Sequence, residues 1–167
     1  MTRLLAIVLT LLLPSALFGS CFDEAGKTYG LPSQLLEALA ETESGMNTGA
    51  LNINADGSFD VGLMQINSYW VRLMGLDKDR LMTDACYNVM TGARILKRCI
   101  DQYGYDWQAV GCYNAVSLQK RITYSWRVYQ ALSHLRKRPD VAQGRQPPSS
   151  SLVFDIKEIP EEQAAGQ

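Results

Sequence analysis

The sequence predicts a mainly α domain with a small β-hairpin or extended segment and a disordered C-terminal tail. Three observations carry this. Apolar residues recur at helical spacing in stretches closed by glycine, as with Val89, Ala93, Leu96 and Ile100 before Gly104. Only one region joins short β-prone pieces through a turn dipeptide, Asp56-Gly57. Beyond Arg138 the chain becomes rich in Pro, Ser and Gln ("RPDVAQGRQPPSSS") and loses its apolar period. A length of 167 residues therefore suits one domain with an extra segment at each end.

The first element is a leader. Arg3 precedes the unbroken apolar run "LLAIVLTLLL", then Pro14 and small residues up to Ser20, the layout of a secretory signal peptide. The run is short for a bilayer span. Residues 1–20 are expected to be removed on export, leaving a chain that starts beside Cys21. A second reading makes Cys21 a lipid-anchor site, because "LFGSC" loosely resembles a lipobox, although Phe18 and Gly19 fit that pattern poorly. Export also permits disulfides, and Cys21, Cys86, Cys99 and Cys112 allow three pairings. Without a CxxC pair, and with His134 as the one histidine, their spacing argues against a metal site.

The remaining elements follow in order. "CFDEAGKTYG" forms a short helix stopped by Gly30, and Pro32 opens a second that runs to Ser44. Gly45 and Gly49 break the chain, and "LNINADGSFDVGLMQIN" supplies the hairpin, with "GLMQIN" extended. Ser68 to Met74 makes a short helix ending at Gly75. A longer one starts after the capping candidate Thr83 and reaches Tyr103; Asp106 to Tyr113 and Leu118 to Leu135 complete the domain. The domain is thus expected over 21–135 and the tail over 136–167, with "LVFDI" (residues 152–156) as a contact peptide.

Charge excludes one class of partner. Loss of Arg3 leaves 15 of the 16 basic groups against 17 acidic ones, with no basic stripe beyond "RKR" at 136–138. Nucleic acid is not an expected partner.

Chemistry is suggested by one misplaced acid. In "LLEALAETESGM" Leu35, Leu39 and Glu43 fall at i, i+4 and i+8, so a carboxylate takes the next slot of an apolar face. Desolvation there raises its pKa and keeps it protonated, the condition for a general acid; a helix-end Glu turned back to water is the plainer reading. Glu37 and Glu41 lie off that face. Gln65 and Asn67 in "GLMQIN", beside Met64, offer neutral amides suited to sugar hydroxyls and N-acetyl groups. Tyr113 and Asn114 in "AVGCYNA" offer a flat ring, a hydroxyl and an amide.

Four segments in order, "ETESGM", "DVGLMQIN", "ACYNV" and "AVGCYNA", resemble the catalytic domain of the lytic transglycosylases. The likeness covers roughly residues 21–132. It is nearest to the small exported members associated with type III and type IV secretion, conjugation and pilus systems. The resemblance implies a lysozyme-like α domain acting, as a monomer and without a cofactor, on peptidoglycan glycan strands in the periplasm of a Gram-negative bacterium. It implies Glu43 as the acid/base, surrounded by Ser44, Gln65, Tyr113 and Asn114, and a disulfide between Cys21 and Cys86. Cys99 and Cys112 are less usual and are left as a second bridge or as buried thiols. The chain departs from the family at Val116, where glycine is common, and at Cys112, where a small residue is common. Asp60 lies 17 residues after Glu43, a spacing reminiscent of the second carboxylate of chicken-type lysozymes. It is either an auxiliary to the reaction or a turn aspartate bonding local amides.

Overall fold

The computed structural model describes residues 15–115 and 117–137. The first fourteen residues of the predicted leader, Val116, and residues 138–167 with the 152–156 segment lie outside the described residues.

Helix α1 spans Ser15–Tyr29, so it starts ahead of Cys21 rather than at it, and continues across the expected leader junction. Helix α2 spans Ser33–Ser44, with Pro32 in extended conformation as its N-cap. It buries Leu35, Leu36 and Leu39 completely, and truncating one such leucine to alanine costs about 2–5 kcal/mol. Gly45 ends it in the left-handed conformation (φ 60°), its N–H returning to the Glu41 carbonyl. This stop leaves Glu43 in the last turn.

Three short strands follow, β1 Leu51–Ile53, β2 Phe59–Val61 and β3 Ile66–Asn67, paired antiparallel in that order. The hairpin at Asp56-Gly57 is present, and β3 adds a strand that two residues of sequence do not announce. Asp60 lies opposite Asn52 on one side and Asn67 on the other. "GLMQIN" is not extended throughout. Gly62 (φ 77°) and Gln65 (φ 43°) turn the chain back, and only Ile66 and Asn67 continue as strand.

The sequence predicts four helices after the sheet, and the described residues hold five. Helix α3, Ser68–Met74, is capped by the Asn67 side chain. Helix α4, Lys78–Thr83, was not foreseen, because its six residues bury only Leu81 and show no period. Thr83 therefore closes α4, and Asp84 caps α5, Ala85–Tyr103, by accepting from the Tyr87 N–H at 2.9 Å. Asp106 caps α6, Trp107–Cys112. Helix α7 runs Leu118–Arg136, one residue into the predicted tail.

Helix α5 is the hub, packing on α1, α4 and α6, while α7 closes the far side on α2 and α6. Two disulfides staple this arrangement. Cys21–Cys86 joins α1 to the start of α5, and Cys99–Cys112 joins α5 to the end of α6. A bridged Cys21 has no thiol left for a lipid thioether. No described helix is long and apolar enough to cross a membrane. The chain is mainly helical with one small sheet, as its sequence indicates.

Candidate active site

The sheet and the helical body face each other across a cleft of about 650 Å³. Its helical wall holds Glu43, Tyr113 and Asn114, its sheet wall Asp60, Gln65 and Asn67, and Ile95 of α5 lines it as well. Residues distant in sequence thus share one cavity.

Glu43 is half-buried at the end of α2. Burial raises its pKa to about 7, against the pull of a hydrogen bond from Tyr124 and of the Arg127 charge; the Asp60 charge adds to the rise. The negative end of the α2 dipole also disfavours a carboxylate there. The Tyr124 hydroxyl donates to Glu43 Oε1. Tyr124 did not stand out in the sequence. The available signal was its place on the buried stripe of α7 with Val128, Leu132 and Leu135, since a tyrosine in a core needs a partner for its hydroxyl.

Asp60 has different company. Its two oxygens accept from the Asn67 and Asn54 side-chain amides at 2.7 and 2.8 Å. The Asn67 oxygen also caps α3 by accepting from the Tyr69 N–H at 2.9 Å. Asn67 thus holds Asp60 in place and keeps a second amide hydrogen on the cleft wall. Gln65 spends its amide nitrogen on the Gly62 and Ala50 carbonyls, at 2.9 and 3.3 Å, which leaves its side-chain oxygen for the cleft.

Two expected contact residues stand behind the cleft. Ser44 donates to the Leu63 carbonyl at 2.7 Å and so ties the end of α2 to the Gly62–Gln65 turn. Met64 is fully buried, its side chain pressed against Gly92, where any Cβ would come within 2.8 Å of it. A fully buried thioether cannot touch a substrate. Its backbone carbonyl instead accepts from the Tyr113 hydroxyl at 2.8 Å, linking the two walls. Burial first, and then the Glu43 and Asp60 charges, hold the Tyr113 phenol well above its usual pKa, so it stays a donor.

The turn itself hangs on Asn88, the asparagine of "ACYNV", which is completely buried. Its amide nitrogen donates to the Val61 and Leu81 carbonyls at 3.0 Å each, and its oxygen accepts from the Met64 N–H at 2.7 Å. A Cβ on Gly62 would lie 2.2 Å from that nitrogen, so glycine is required by both φ and space. Tyr69 and Trp70 also line the cleft, edge to face with ring centroids 5.1 Å apart. The adjacent aromatic pair in "SYW" was their signal, and flat apolar faces of this kind pack well on sugar rings.

A carboxyl that is half protonated near neutrality, a second carboxylate held by amides and an aromatic rim suit proton transfer to a polymeric sugar. Among the described residues no group of three His, Cys, Asp or Glu side chains could hold a metal ion. The Transglycosylase SLT domain family model matches residues 20–125. The chain belongs to this family. The transglycosylase is 43% identical over 118 residues to the "Invasion protein IagB" of Salmonella typhimurium (strain SL1344), covering 69% of this chain and 74% of the relative. It is 41% identical over 117 residues to "Protein IpgF" of Shigella flexneri, covering 66% and 77%. It is also 32% identical over 148 residues to an Escherichia coli "X polypeptide", covering 83% and 86%. The family makes this an enzyme of the peptidoglycan lytic transglycosylase class, with peptidoglycan as its substrate.

Proposed function

We propose that the transglycosylase cleaves the β-1,4 bond between N-acetylmuramic acid and N-acetylglucosamine with Glu43 as its acid and then its base. The carrying observation is a Glu43 carboxyl with a pKa of about 7 inside the cleft. Such a group is about half protonated at neutral pH, so it can donate to the glycosidic oxygen and take a proton back afterwards. Tyr124, donating to Oε1, fixes the carboxyl and stabilises the ionised form after the first transfer. The substrate's N-acetyl group supports the positive centre, and Glu43 then deprotonates the C6 hydroxyl, closing a 1,6-anhydro ring without water. Tyr113 and Asn114 shape the wall beside the acid, and the Gln65 oxygen and the aromatic rim hold the strand.

A water-using muramidase is the second reading, favoured by Asp60. Its oxygens are presented to the cleft by Asn54 and Asn67 and could stabilise an oxocarbenium-like centre long enough for water to attack. Digestion of purified sacculi separates the two. Anhydro-ended muropeptides are expected; reducing ends alone would transfer the assignment to the muramidase. A wild-type protein that binds sacculi and releases nothing would make it a wall-binding assembly factor.

The setting is part of the same reading. Residues 1–20 act as a leader, 21–135 work as a monomeric catalytic body in the periplasm, and 136–167 form a tail. The likeness to small secretion- and conjugation-associated members, and the word "invasion" in a relative's name, support local opening of the wall for a trans-envelope apparatus.

A further inference from the structure

We propose that the Cys99–Cys112 disulfide positions the reactive wall of the cleft, holding the Tyr113–Ala115 turn against α5 in the register that catalysis needs. The inference rests on the transglycosylase reading above, and assigns to these two residues a part that neither the family nor the proposed chemistry gives them.

The placement argues for it. Cys112 is the last residue of α6, lines the cleft and immediately precedes Tyr113 and Asn114. Cys99 is buried on α5 one turn beyond Ile95, which also lines the cleft. The Cα atoms of the pair are 5.8 Å apart. Helix α6 itself packs closely on α7, with Gly111 against Arg121, but the turn that follows it is lightly bonded. Helix α6 has only six residues, and the backbone bonds of Tyr113, Asn114 and Ala115 to the carbonyls behind them are 3.2–3.3 Å long, weaker than usual. Two side-chain bonds assist, Tyr113 to the Met64 carbonyl at 2.8 Å and Arg121 to the Ala115 carbonyl at 2.9 Å. The first of these is also the link between the two walls, so slack at Cys112 passes straight to it. With Tyr113 drawn back, more water reaches the Glu43 carboxyl, which is already partly open to the cleft.

The other disulfide is a built-in control. Cys21–Cys86 joins α1 to α5, and neither cysteine lines the cleft. Its removal loosens the fold and leaves the Tyr113–Ala115 turn on the helical wall alone.

The test compares Cys99→Ala/Cys112→Ala with Cys21→Ala/Cys86→Ala in the exported chain, below the melting temperature of each. The single variant Cys112→Ala keeps the buried Cys99 in place and serves if the first pair folds poorly. Turnover on sacculi should fall about ten- to a hundredfold in the Cys99/Cys112 variants with KM little changed, since misplacement near 1 Å costs that order. In the same variants a carbon-13 carboxyl titration should find the Glu43 pKa lowered from about 7 toward the ordinary range. The Cys21/Cys86 variant should melt lower yet keep both turnover and titration. Unchanged turnover and titration in the Cys99/Cys112 variants, or the same change in both pairs, would overturn the proposal. The titration needs no substrate, so an inactive wild type would sink the functional reading while leaving this inference separately decided.

Discussion

Glu43 and Asp60 look into the same cleft, one from a helix end and one from a sheet, and their surroundings differ in kind. The Glu43 pKa is raised by burial, and one of its oxygens accepts from the Tyr124 hydroxyl. Asp60 has both oxygens filled by side-chain amides from its own sheet region. Burial favours the carboxylic acid at Glu43. Two residues of nearly the same chemistry are thus given different surroundings by where the chain places them. The helical wall carries the carboxyl with the raised pKa, and the sheet wall carries one held by two side-chain amides.

The largest expected effect comes from removing the acid. Glu43→Gln should reduce release of muropeptides by about a thousandfold or more, the upper part of the range for general acid catalysis. The same variant should be more stable than wild type at pH 8. Folding raises the Glu43 pKa from 4.5 to about 7, so the folded state binds the proton more tightly and loses stability as pH rises through that window. The full loss is at most about 3 kcal/mol, and glutamine does not suffer it. Melting of the two proteins should therefore converge near pH 4 and separate toward pH 8; separation at low pH instead would contradict the desolvated acid.

A smaller effect is expected from Tyr124→Phe. The tyrosine hydroxyl lowers the Glu43 pKa, so its loss should move the alkaline limb of the pH–rate profile upward. Turnover should drop about tenfold as the carboxyl loses its orientation. A downward limb would show that Tyr124 does not support the ionised form.

Asp60→Asn should change turnover least and move the same limb the other way. The Asp60 charge contributes to the raised Glu43 pKa, and neutralising it lets Glu43 ionise at slightly lower pH. Opposite shifts from Tyr124→Phe and Asp60→Asn would sharpen the contrast between the walls. Shifts in one direction would break it.

Much of this frame was readable from local pattern. Glu43 stood out because a helix repeats every 3.6 residues and Leu35 and Leu39 define its face. The stops at Gly30, Gly45, Gly75 and Gly104 were readable because all four take positive φ. What stayed hidden depends on distant partners or on very short elements. Tyr124 meets Glu43 across 81 residues, and nothing local distinguishes it from a core tyrosine. "GLMQIN" looked extended because the Asn88 amide that folds it into a turn arrives from 24 residues beyond Met64. Helix α4 and strand β3 have too few residues to show a period. Ser44 and Met64 belong to the site's motifs and yet face inward, because motifs record which residues are needed and not which atoms touch a ligand.

Helix α5 gives the cleft a gauge. Asn88 near one end holds the sheet-side turn, and Cys99, eleven residues on, holds the helix-side turn. At 1.5 Å per residue these two attachments stand about 16 Å apart along a stiff rod. The mouth of the site is therefore set in whole residues of one helix. Side chains along α5 can be exchanged without altering that spacing. Inserting or deleting a single residue between Asn88 and Cys99 would instead rotate one attachment by about 100° relative to the other, turning it away from its loop. The width of the substrate path is a counted quantity, tolerant of spelling and intolerant of length.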